Sequence, residues 1–61
     1  MLVSTVEDID GSTKEIKTNS AEYQNWLATE KNGAANTAEN FQEFVDGQQD
    51  QSDQLKDMIA A

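Results

Sequence analysis

The chain has 61 residues, with 12 acidic and 4 basic side chains, a net charge of −8, and no cysteine, histidine or proline. That length sustains one small domain, and neither a disulfide nor a Cys/His zinc site can staple it. The charge argues against direct binding to nucleic acid or to anionic membrane. No apolar run approaches transmembrane length, and the amino terminus lacks the basic start and apolar core of a signal peptide; the expectation is a soluble protein without a standard export signal.

Leu2 to Ile9 carries Val3, Thr5, Val6 and Ile9, β-branched residues that favour a pleated strand. Asp10-Gly11 is a turn signal because both residues tolerate positive φ, and Thr13 to Thr18, centred on Ile16, can return as a second strand. Residues 1–18 therefore read as a β-hairpin with two open registers. A two-residue loop pairs Glu7 with Lys14. A three-residue loop over Asp10, Gly11 and Ser12 pairs Val6 with Ile16 and Asp8 with Lys14, and it sets Leu2 on the same face as Val6 and Ile16; packing favours this second register.

Within that turn, Asp8-Ile9-Asp10-Gly11-Ser12 resembles, over five residues, the Asp-x-Asp-Gly-Thr nucleophile motif of haloacid-dehalogenase phosphatases. The resemblance implies a buried parallel strand before the motif and a large α/β domain after it, which 61 residues do not supply. The same run resembles the start of a calcium loop, but loop positions six and twelve hold Thr13 and Asn19 where glycine and glutamate are needed. A hairpin turn is the reading.

Residues 19–33 read as a short helix. Asn19 serves as N-cap, and Glu22 three residues later completes a capping box and suits the positive end of the dipole. Tyr23, Trp26 and Leu27 form an i, i+3, i+4 apolar stripe. Asn32-Gly33 supplies a left-handed stop. Tyr23 and Trp26 are also a candidate aromatic anchor for a partner, with core packing the expected use of Trp26.

Residues 36–60 read as one long amphipathic helix, capped by Asn36 with Glu39 in the box position. Phe41, Val45, Gln48, Ser52, Leu55 and Ile59 recur at alternating steps of four and three, a heptad seam widened by Phe44 and Met58. Its apolar members, Phe41, Phe44, Val45, Leu55, Met58 and Ile59, are the candidate interaction seam. Glu39, Glu43, Asp46, Asp50, Asp53 and Asp57 repeat at the same spacing on the opposite side as an acidic stripe. Gly47 is a point of weakness where a bend can form.

The expected architecture is α+β: a hairpin followed by an antiparallel helical pair whose second helix is long. A mainly helical, coiled-coil-like oligomer is the alternative. Without histidine or cysteine, and with little room to enclose a dry pocket, the chain is expected to be no enzyme and to hold no cofactor or metal. So small a core predicts a protein partner, either further copies in a homo-oligomer or a larger assembly, and a structural or docking role. Its compact length and lack of cysteine, histidine and proline resemble short phage-encoded accessory proteins. Two other readings stand beside that one. The acidic stripe can imitate nucleic-acid phosphates and inhibit a DNA- or RNA-binding enzyme, and the hairpin can add to a partner's sheet edge.

Overall fold

The structure, a computed structural model, describes residues 2–60. Strand β1 (Val3–Glu7) pairs antiparallel with β2 (Thr13–Lys17), and α1 (Ala21–Thr29) and α2 (Ala38–Ala60) follow. The architecture is α+β, as expected.

The hairpin adopts neither expected register: Val6 stands opposite Lys14, and Ser4 opposite Ile16. The cause is the position of Gly11. Asp8 N–H donates to Ser12 C=O at 2.7 Å and Gly11 N–H donates to Asp8 C=O at 3.0 Å, so the loop is Ile9-Asp10-Gly11. Gly11, at φ +86°, is its third residue, where a left-handed conformation is needed to rejoin the strand. Asp10 stiffens the turn by accepting from Ser12 N–H at 3.0 Å and Ser12 Oγ–H at 2.6 Å. As a result Val6 and Ile16 lie diagonally on one face, both buried, while Leu2 on the same alternation stays exposed.

Both helices start one residue later than their expected caps. Ser20 N–H closes a turn onto Lys17 C=O at 3.0 Å, and the Ser20 hydroxyl, not Asn19, accepts from Tyr23 N–H at 3.3 Å. Glu22 remains in the first turn and pairs with Lys14 at 3.1 Å. At the far end Gly33 N–H donates to Leu27 C=O at 2.8 Å, with Asn32 and Gly33 both at positive φ, which is the expected stop. Thr37 caps α2 through Asn40 N–H to Thr37 Oγ1 at 3.2 Å. Asn36 is used differently: its side-chain amide donates to Thr18 C=O at 3.1 Å and ties the end of β2 to the start of α2. Gly47 does not interrupt the helix.

Val6, Ile16, Tyr23, Leu27, Phe41, Phe44 and Val45 form the core, with Trp26 and Ala34 packed against it. Tyr23 is at its centre, edge-on to Phe41 at 5.2 Å between ring centroids, and Trp26 meets Phe44 at 5.2 Å. The core draws only on the first half of α2. At 1.5 Å per residue that helix runs about 34 Å, nearly the full 38 Å length of the molecule. Its second half therefore reaches past the packed body.

Candidate protein interaction surface

What holds the second half of α2 to the rest is a set of polar contacts on one residue of the hairpin. The Gln49 amide accepts from Glu7 N–H at 2.9 Å and donates to Glu7 C=O at 3.3 Å. These are the outward-facing backbone groups of β1, so one side chain completes that stretch of sheet edge as a neighbouring strand would. Lys56 forms an ion pair with the Glu7 carboxylate, and that carboxylate raises the lysine above its usual pKa. Sequence reasoning did not single out Gln49, because one glutamine among several carries no signal of its partner. Lys56 was more legible as the single cation on an otherwise acidic helix.

Beyond this clip the candidate seam splits in two. Phe41, Phe44 and Val45 are buried in the chain's own core. Leu55, Met58 and Ile59 are 42%, 74% and 69% exposed, so the hairpin does not cover them. Between the two groups, the seam positions Gln48 and Ser52 face the hairpin. Together with Val6, Asp8, Lys14 and Ile16 they line a cavity of about 100 Å³. That is smaller than the ~300 Å³ at which ligand pockets begin, and its lysine is engaged by Glu22. Ile9, on the hairpin turn just past Glu7, is also exposed.

The acidic stripe is open to solvent along its whole length: Glu39, Glu43, Asp46, Asp50, Asp53 and Asp57 are all exposed. Glu43 pairs with Lys31 at 2.7 Å, and Asp46 and Asp53 accept from the neighbouring Gln42 and Gln49 amides at 2.8 and 3.1 Å. Each acid is set roughly opposite the seam on the helix, so stripe and seam form separate surfaces.

The aromatic pair also divides. Tyr23 is fully buried, with its hydroxyl directed at Thr37 C=O, and burial raises its pKa. Trp26 is half-buried, with the Lys31 ammonium 5.7 Å from its ring centroid. The Asp8–Ser12 run is the hairpin turn, and the hydrogen bonds from Ser12 hold Asp10 below its usual pKa. Among the described residues no group of three or more acid, histidine or cysteine side chains is arranged to hold a metal ion. No described helix is long and apolar enough to cross a membrane. No protein-family model, curated protein or solved structure matches the chain.

Proposed function

We propose that the protein is a small, non-enzymatic docking or structural subunit that acts by protein–protein contact through the second half of α2. One observation carries this reading. Leu55, Met58 and Ile59 form an i, i+3, i+4 apolar stripe on a regular helix, and all three stay exposed among the described residues. Burying an aliphatic side chain of this size is worth about 1.5–3 kcal/mol, so a partner that covers all three gains substantially. An amphipathic helix presented this way suits helix-in-groove or helix-to-helix association. Such a role fits an accessory component of a larger assembly, such as a phage particle.

A second reading is supported by the stripe's full exposure: an acidic mimic of phosphates directed at a nucleic-acid-binding enzyme. A lone helix presents one acid per ~5 Å of axis against one phosphate per ~1.7 Å of duplex, about threefold too sparse.

Capture of partners from source-cell lysate by two variants separates the readings. Under the docking reading Leu55→Ser/Ile59→Ser loses the partner, Asp46→Asn/Asp50→Asn/Asp53→Asn keeps it, and high salt leaves the wild-type complex intact. The reverse pattern, with nucleic acid competing for the partner, defeats docking and supports mimicry.

A further inference from the structure

We propose that a second copy of the chain covers the apolar stripe, the C-terminal halves of two α2 helices packing antiparallel around Leu55, Met58 and Ile59. This rests on the docking reading above and names its first partner. The case is made by where the charges lie around the helix. In heptad terms Leu55 and Ile59 take seam positions, and Asp50, Asp53 and Asp57 take the outermost ones. The four flanking positions hold Gln49, Gln51, Lys56 and Met58, none of them acidic. Flanking residues decide whether like helices repel each other. On a chain with a net charge of −8, α2 itself places no acid on this face, whereas its far face carries them in unbroken series; the acid that the hairpin brings to the flank, Glu7, is paired with Lys56. Two copies joined through it keep their acidic stripes on opposite outer surfaces. Across two helix diameters, about 20 Å, such charges are screened at physiological salt, where the Debye length is about 8 Å. A basic partner groove calls for free acids at the helix flanks, and α2 offers none there, the hairpin's Glu7 being engaged by Lys56.

The antiparallel sense follows from where the body sits. The core occupies the first half of α2, so opposed helices carry the two bodies at opposite ends, where a parallel pair brings them side by side. Overlap of Gln51–Ala60 is about 15 Å of helix, bordered by the Gln51 amides of both copies. Lys56 holds Glu7, so the end of β1 lies beside this stretch. An interface this short belongs to the small, readily dissociating class.

Sedimentation velocity on the full chain over a concentration series tests the pairing, with circular dichroism confirming that each variant is folded. The expected result is a reversible monomer–dimer equilibrium. Its dissociation constant rises at least about tenfold in Leu55→Ser/Ile59→Ser and in Gln51→Glu, which sets an acid on the flank. It shifts less than about twofold in Asp57→Asn, on the outer face. A chain that is monomeric at every concentration, or a dimer indifferent to both the serine pair and Gln51→Glu, overturns the proposal. Failure here leaves the docking reading to its own capture assay: a monomer whose serine pair still loses a foreign partner refutes the pairing alone. A dimer weakened as expected supports the pairing whatever the capture assay gives.

Discussion

Replacing Gln49 with alanine tests whether the hairpin is held to α2 by the clip at Glu7. The substitution removes the two hydrogen bonds to Glu7, at 2.9 and 3.3 Å, leaving its backbone groups to water, and an exposed one to Asp53 at 3.1 Å, whose carboxylate water solvates equally well. Each such bond contributes about 0.5–1.5 kcal/mol net, and the partly exposed setting places these near the lower end. Alanine recovers a few tenths of a kcal/mol through helix propensity. The expected net loss is about 1 kcal/mol, and in a domain of this size each kcal/mol lowers Tm by roughly 4–8 °C. Thermal melting followed by circular dichroism reads the stability, and amide hydrogen exchange reads Glu7 directly. Glu7 N–H lies on the outer edge of a two-stranded sheet, where its hydrogen-bond acceptor among the described residues is Gln49. An unchanged Tm together with unchanged exchange at Glu7 refutes the clip.

Other outcomes follow from the same contacts. Gly47→Ala stabilises the protein by about 0.5–1 kcal/mol, because the helix runs straight through and the added methyl meets open space; a lower Tm contradicts this. Ser12→Ala moves the Asp10 carboxyl part of the way back toward its ordinary titration, read by NMR, since the Ser12 hydroxyl is the largest cause of its lowering and the Ser12 N–H bond remains. In the wild type that group's contribution to stability is present above its ordinary pKa of 3.8 and is lost as pH falls through the lowered value. At the alkaline end two groups act together. Lys56 is raised above its ordinary value of 10.5, so its contribution is full below that value and vanishes as pH climbs through the raised one. Tyr23 is raised above its ordinary value of 10.0, which favours unfolding once pH passes that value. Phenolate absorbance of this single tyrosine is expected to appear with loss of structure; its appearance at the ordinary pH in an intact fold contradicts the burial.

Those features of the fold that depend on local chemistry were legible in the sequence. The β-branched run, the Asn32-Gly33 stop and the four-three spacing of α2 each specify a local backbone conformation, and the structure uses all three. Where several residues competed for one task, the sequence did not decide between them. Gly11 suits a two-residue loop and the end of a three-residue loop equally well. Asn19 and Ser20 are comparable caps, as are Asn36 and Thr37, and the hydrogen bonds from Ser20 to Lys17 and from Asn36 to Thr18 settled both cases at a distance. The candidate surface was partly legible. Periodicity placed Leu55, Met58 and Ile59 on the same face as Phe41 and Val45, but it cannot say how far along a helix the rest of the chain reaches. That limit is set by the short hairpin and by α1, whose 9 residues cover only the first half of the 23 in α2.

Site-specific photo-crosslinking asks most directly whether the end of α2 is the working surface. A photoreactive side chain is placed at Met58 in one chain and at Asp50, on the acidic face, in another, and both are irradiated in source-cell lysate. Defined adducts from Met58 and none from Asp50 are the predicted result; adducts from Asp50 alone, or none from either position, contradict it.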